Sequence, residues 1–140
     1  MTWGGQCLKT WSKTLNTLAL SSGEAELGAV VRASAEALGI KALLADFGFT
    51  VTLEICSDAT AAIGMVRREG LGRVRHLATA DLWVQQRVRQ GELMVSKVDG
   101  TKNPADMMTK CLGGDKTAEF MACLLFQEAS GRHELAPKIE

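Results

Sequence analysis

Leu20-Ser21-Ser22-Gly23-Glu24-Ala25-Glu26-Leu27 is the stretch from which the rest of the chain can be placed. Ser21 and Glu24 stand in the S-x-x-E spacing of a capping box, in which serine and glutamate side chains satisfy amides left free at a helix start. Leu27, Val30, Val31, Ser34, Ala35, Leu38 and Ala42 follow at helical spacing. Gly39 is a weak point within this helix, and Phe47-Gly48 ends the pattern. Upstream, Thr2-Trp3 leads into the turn signal Gly4-Gly5, and Cys7 to Lys13 is a strand candidate. No Asp or Glu precedes Glu24. Beginning on half a hairpin suggests that Met1 does not mark a natural domain boundary.

Downstream, Thr50 to Cys56 alternates with β-branched residues and reads as a strand. It feeds Asp58 and a short helix through Val66, which Gly70 and Gly72 interrupt. A helix is expected from about Val74 to Gln90, with Gly91 in the position of a C-terminal cap. Glu92 to Val98 alternates as another strand, Asp99-Gly100 turns the chain, and Pro104 suits a first helical position. Residues 115–129 have the pattern of a last amphipathic helix, and the chain from Gly131 has that of a frayed tail. The expected order is β-β-α-β-α-α-β-α-α, an α/β mixed sheet flanked by helices.

The chain's 140 residues suggest one domain, large enough to bury roughly 70% of its unfolded surface without staples. Sixteen basic and sixteen acidic residues cancel, which argues against strong nonspecific binding to nucleic acid but leaves weak binding open. Cys7, Cys56, Cys111 and Cys123 form no CxxC pair, and neither His76 nor His133 completes a zinc spacing. Buried, reduced thiols are expected, which points weakly to a reducing intracellular compartment. No signal-peptide h-region is found, and no apolar run is long enough to cross a membrane.

Three acids occupy positions from which chemistry could be done. Glu26 lies near the start of the first helix, Asp58 ends a strand and Asp106 opens a late helix. Carboxylates at such places project where a ligand can approach, and several together repel one another unless a cation sits between them. Magnesium suits them because it takes hard oxygen ligands and keeps several waters. Each acid also has a structural reading: Glu26 and Asp106 as complements to a helix dipole, and Asp58 as a helix N-cap.

Leu20 to Leu27, Cys56-Ser57-Asp58 with Ala61-Ala62-Ile63, Val74-Arg75-His76-Leu77, Gln90-Gly91-Glu92-Leu93 and Asn103-Pro104-Ala105-Asp106-Met107-Met108-Thr109-Lys110 follow one another in the order of a known family. Together they resemble the ribonuclease H domain at the C-terminal end of copia-type retrotransposon polyproteins, over roughly residues 2–112. The resemblance implies a ribonuclease H-like domain at 1–112, followed by a C-terminal helix and tail at 113–140. It implies two magnesium or manganese ions and endonucleolytic cleavage of the RNA strand of RNA–DNA hybrids. Glu26, Asp58 and Asp106 match three of the family's four metal-binding acids. The partners implied are the hybrid and the reverse transcriptase domain of the same polyprotein, with no membrane. The expected location is intracellular, in cytoplasmic virus-like particles or the nucleus.

The family's first acid lies on an opening strand for which this chain has no counterpart. With that strand missing, the chain alone is expected to be inactive and to carry an unpaired sheet edge. The segment Val98-Asp99-Gly100-Thr101-Lys102-Asn103 also lacks the histidine that cellular ribonucleases H carry there. The alternative is a catalytically dead remnant that acts as a nucleic-acid- or protein-binding module.

Residues 67–89 set Arg67, Arg68, Arg73, Arg75, Arg87 and Arg89 against Glu69 and Asp81. The glycine-broken loop from Arg67 to Arg75 is expected either to follow a phosphate backbone, with binding that weakens in salt, or to be a solvated connector. His76 matches a histidine of the family motif and is taken with Arg67, Arg68, Arg73 and Arg75 as a substrate-binding candidate. A plain helix-start histidine is the other reading. Trp3 and Trp11 could stack on bases, whereas Trp83 falls in an apolar helical pattern and is expected in the core.

Overall fold

Ser21 caps the first helix as the sequence leads one to expect. The Glu24 amide donates to Ser21 Oγ at 3.3 Å, Ser21 Oγ lies 3.1 Å from Glu24 Oε1, and Glu24 Oε2 accepts from the Leu20 amide at 2.9 Å. The glutamate therefore reaches one residue beyond the serine, closing the cap over an extra amide. The structure, a computed structural model, describes residues 1–14, 18–70, 72 and 82–127, without the side chain of Met108. Its elements are β1 (Thr2–Trp3), β2 (Gln6–Cys7), α1 (Ser22–Asp46), β3 (Glu54–Ser57), α2 (Thr60–Arg67), α3 (Trp83–Arg89), β4 (Met94–Lys97) and α4 (Gly114–Cys123). Two 3-10 turns, Gly100–Lys102 and Pro104–Met108, precede α4.

The chain is mixed α/β, compatible with a ribonuclease H-like fold. It divides into two units, one from Lys13 to Asn103 and one joining Met1–Ser12 to the described residues from Pro104 onward. Strand pairing of both senses is present, in two separate two-stranded sheets. In the smaller unit, Thr2 pairs with Cys7 and Trp3 with Gln6 across Gly4 and Gly5, whose φ values of 59° and 83° make the two-residue turn that glycines favour. The strand expected to Lys13 ends at Cys7, and residues 8–14 carry no regular structure. In the larger unit, β3 and β4 run parallel with Glu54, Ile55, Cys56 and Ser57 opposite Met94, Val95, Ser96 and Lys97. Both strands are shorter than their alternation suggests because each is defined only where the other lies beside it.

Helix ends follow their glycines. At the end of α1, Gly48 takes φ 83°, its amide reaches Ala45 O at 2.9 Å and the Phe49 amide reaches Leu44 O at 2.9 Å. Gly91 repeats this after α3 at φ 72°, with its amide on Val88 O at 3.0 Å and the Glu92 amide on Arg87 O at 3.0 Å. These are Schellman closures, and they need a left-handed residue that glycine supplies at little cost. The final helix departs from expectation. It stops at Cys123, with Leu125 in left-handed backbone at φ 56° and the Phe126 amide on Met121 O at 2.8 Å. The helix expected from Pro104 is a five-residue 3-10 turn, a form short segments adopt when too few residues follow to sustain α-helix. The expected start of the helix at Val74 and the tail expected from Gly131 lie outside the described residues.

The core of the larger unit gathers Leu27 and Val30 of α1, Ala62, Ile63 and Val66 of α2, Val84 of α3, and Leu93 and Val95 around β4. Trp83 packs partly buried against it, as its helical spacing implies. Ser34 is fully buried and donates to Val30 O at 2.8 Å, so its hydroxyl is satisfied within the helix. The cysteines are unpaired, but Cys56, Cys111 and Cys123 are exposed and Cys7 is half-buried, which corrects the expectation of buried thiols. Their hydrophobic neighbours in sequence do not determine their exposure: Cys56, for example, is exposed between the partly buried Ile55 and the buried Ser57 of its strand. No described helix is long and apolar enough to cross a membrane. Ser21→Ala should lower unfolding free energy by about 1 kcal/mol, read from a urea denaturation midpoint, because it removes the side-chain acceptor at the helix start.

Candidate functional site

Parallel strands bring their C-terminal ends to the same edge of a sheet, where ligands of open α/β folds are bound. In the larger unit that edge carries Asp58, directly after Ser57 of β3, and Val98-Asp99-Gly100, directly after Lys97 of β4. The Val98 amide donates to Ser57 O at 3.0 Å, which ties the second loop to the end of the first strand. An open cavity of about 610 Å³ is lined there by Asp58, Lys97, Val98, Asp99 and Gly100.

The helix-capping reading of Asp58 is excluded by the geometry. The N-cap of α2 is Ala59, with no side-chain cap, and the Ala59 amide is met by Ser57 Oγ at 3.2 Å. Among the described residues, the half-buried Asp58 carboxylate makes no hydrogen bond or ion pair. Serine therefore does the local structural work, and the aspartate is left facing the cavity.

Asp99, read from the sequence only as a turn residue, is the second acid on this cavity. Its Oδ1 accepts from the Thr101 amide at 2.9 Å and from Thr101 Oγ1 at 2.8 Å, capping the turn Gly100–Lys102. The backbone bond first, then the hydroxyl bond, hold its carboxyl below the usual aspartate range, with Lys102 and Lys97 adding to the effect. Because the folded pKa is depressed, the stabilisation is present above the ordinary aspartate pKa and is lost as pH falls through the folded value. Thr101→Val removes only the hydroxyl bond. The Asp99 carboxyl should then titrate closer to its ordinary range, as followed by NMR of the side-chain carbon.

Glu26 lies exposed on α1 in the same unit. The first turn of α1 approaches α2 closely, because Gly23 is buried and a Cβ there would stand 3.1 Å from Ala61 Cβ and 3.3 Å from Met65 Cε. Glycine at position 23 thus allows the helix bearing Glu26 to lie against the helix that follows Asp58. Asp106 belongs to the smaller unit. Its carboxylate is 15% exposed and held by Lys110 Nζ at 2.8 Å, one helical turn later. Among the described residues no three or more His, Cys, Asp or Glu side chains are grouped to hold a metal ion. The donor chemistry at the strand ends nevertheless fits a hard divalent cation. Asp58 and Asp99 both line one open cavity, and magnesium is commonly held by one or two carboxylates together with water and substrate phosphate.

Of the basic candidates, Arg67 is exposed and donates through Nη2 to Val95 O at 2.6 Å, linking α2 to β4. Arg68 is half-buried, with its guanidinium beneath Gly72, where a Cβ would come within 2.5 Å of Nη1. Arg73, Arg75 and His76 lie outside the described residues. Arg87 pairs with Glu92 at 2.7 Å and Arg89 with Glu69 at 2.7 Å, so these two arginines have acidic partners beside them. Gln85 went unnoticed in the sequence. It is buried, donates to Met65 O at 2.7 Å and to Gly70 O at 3.0 Å, and accepts from the Gly70 amide at 2.9 Å. It clamps the start of the basic loop to α3. One of two adjacent glutamines in a helix with arginines beside it offers no sequence signal for such a clamp.

The chain is similar to the Retrovirus-related Pol polyprotein from transposon TNT 1-94 of Nicotiana tabacum, with 28% identity over 134 residues. The match covers 94% of this chain and 10% of that protein, so the chain spans about a tenth of the relative's length. This similarity supports an origin in a retrotransposon polyprotein. No family model and no solved structure matches the chain.

Proposed function

We propose that this chain is a ribonuclease H-like module of a retrotransposon Pol polyprotein, directed at the RNA strand of RNA–DNA hybrids in the presence of magnesium or manganese. The observation that carries this reading is the Asp58 carboxylate, placed at the C-terminal end of β3, on an open cavity and outside any capping role. Asp58 would hold the cation and Asp99 would add an oxygen from the neighbouring loop. Glu26 and Asp106 match the family's metal-binding acids by their motifs alone. A divalent cation in such a site activates water and neutralises charge on a phosphodiester. Lys97, exposed on the same cavity, offers an ammonium to a backbone phosphate, and Arg67 and Arg68 begin the loop that would follow the strand. With zero net charge, the binding surface must be local, and its affinity falls as salt rises.

A second reading keeps the scaffold and the nucleic-acid contact but not the turnover. It is favoured by the engagement of Asp106 with Lys110, which occupies one of the three motif acids. The two readings separate in one experiment. An end-labelled RNA–DNA hybrid is incubated in manganese with the chain, alone and joined to the polyprotein segments that flank it, beside the same proteins carrying Asp58→Asn. Metal-dependent cutting of the RNA strand that disappears with Asp58→Asn supports the nuclease. Salt-sensitive hybrid binding with no cutting supports the binding module. A folded chain that neither binds nor cuts the hybrid overturns both.

A further inference from the structure

Gly100 differs from the turn glycines of this chain. Gly4, Gly5, Gly48 and Gly91 have positive φ and open space where a Cβ would stand, so backbone conformation explains them. Gly100 is not among the residues with positive φ, and its backbone would accept any amino acid. Space is what is short there. A Cβ on Gly100 would lie 3.2 Å from Asp58 Oδ2, 3.8 Å from Asp58 Cβ and 4.0 Å from Asp58 Cγ. Nine in ten real Cβ contacts are looser than the first of these distances.

The loop that carries Gly100 is secured on both sides. The Val98 amide is bonded to Ser57 O at 3.0 Å, the residue immediately before Asp58. On the other side, Asp99 caps the turn through Thr101, and the Lys102 amide returns to Asp99 O at 2.8 Å. A side chain at position 100 therefore has little scope to withdraw by moving its own backbone. The Asp58 carboxylate would have to move instead.

We propose that Gly100 is a positioning residue for Asp58: its bare backbone forms the wall against which the carboxylate rests and leaves Oδ2 facing the strand-end cavity for a divalent cation. The inference rests on the proposed metal-dependent function, and it adds a residue that none of the motif acids includes. A methyl group at position 100 crowds Oδ2 and turns the carboxylate, while the hydrophobic core, formed by other residues, is left intact.

The test is a manganese titration of the full chain followed by electron paramagnetic resonance, with Gly100→Ala, Gly100→Val and Asp58→Asn in parallel. Metal-free thermal unfolding and the NMR shift of the Asp58 side-chain carbon accompany it. Gly100→Ala should weaken manganese binding about tenfold, the scale on which residues that orient a metal ligand act. It should also move the Asp58 carbon resonance without metal, and it should leave metal-free melting within a few degrees of the parent. Gly100→Val should weaken binding further. Should the valine variant fail to fold, the alanine variant alone decides, since it asks the carboxylate to yield only a few tenths of an ångström. Parental manganese affinity and an unmoved Asp58 resonance in Gly100→Ala, with binding lost in Asp58→Asn, would overturn the role of Gly100 and leave the metal site standing. No manganese binding by the folded parent would overturn the functional reading and this proposal with it.

Discussion

In the chain joined to the polyprotein segments that flank it, Asp58→Asn should reduce metal-dependent cleavage of an RNA–DNA hybrid by at least about 100-fold while leaving the fold in place. That factor is about 3 kcal/mol of transition-state stabilisation, within what a cation contributes when it neutralises charge on a reacting phosphodiester. Asparagine keeps the shape of the side chain and removes the charge that would hold the cation. Stability should change by no more than about 0.5 kcal/mol, because Asp58 caps no helix and has no ion-pair partner among the described residues. Cleavage rate and urea midpoint, measured on the same preparation, separate the two effects. A large fall in the midpoint would return Asp58 to a structural role.

Leu93→Ala should be the most damaging single truncation in the core. Leu93 is 1% exposed and lies immediately before β4, among Leu27, Val30, Ala62, Ile63, Val66, Val84 and Val95. Removing a buried leucine side chain costs about 2–5 kcal/mol through lost transfer energy and the cavity left behind. Small domains hold only about 5–15 kcal/mol in total, so this is a large share of the folded state's margin. The expected observation is a much lower urea midpoint with an unchanged slope. Leu18, which is 89% exposed, is the matched control, and Leu18→Ala should shift stability by less than about 0.5 kcal/mol.

Local devices were the most legible part of the chain. The Ser21–Glu24 cap, the glycine closures at Gly48 and Gly91, and the Gly4-Gly5 turn are written in residue types whose backbone or side-chain chemistry allows few alternatives. Element order through β4 could be read for the same reason. What depended on neighbours distant in sequence was less legible. The limits of β3 and β4 are set by their mutual pairing, and alternation runs past that pairing at both ends. The end of α4 depends on Leu125 entering left-handed backbone, a conformation that leucine does not announce.

The site was legible to the same degree. Asp58 stands out because a strand-to-helix junction can be read locally, and the bond from the Ala59 amide to Ser57 Oγ removes only its capping reading. Asp99 reads in the sequence only as a turn residue because Asp-Gly is a common turn pair, and a cap and a cavity-lining acid look alike there. The Asp106–Lys110 pair stands at a spacing that brings side chains together on a helical turn, so the sequence itself carries its signal. Gln85 could be understood only with Met65 and Gly70 around it.

The claim on which the rest depends is that Asp58 marks a divalent-cation site at the ends of β3 and β4. Manganese binding to the 140-residue chain and to its Asp58→Asn variant, measured by electron paramagnetic resonance, tests it most directly. Saturable binding by the parent that is lost in the variant is the result expected. Equal binding by both proteins, or none by a parent shown to be folded, would contradict it.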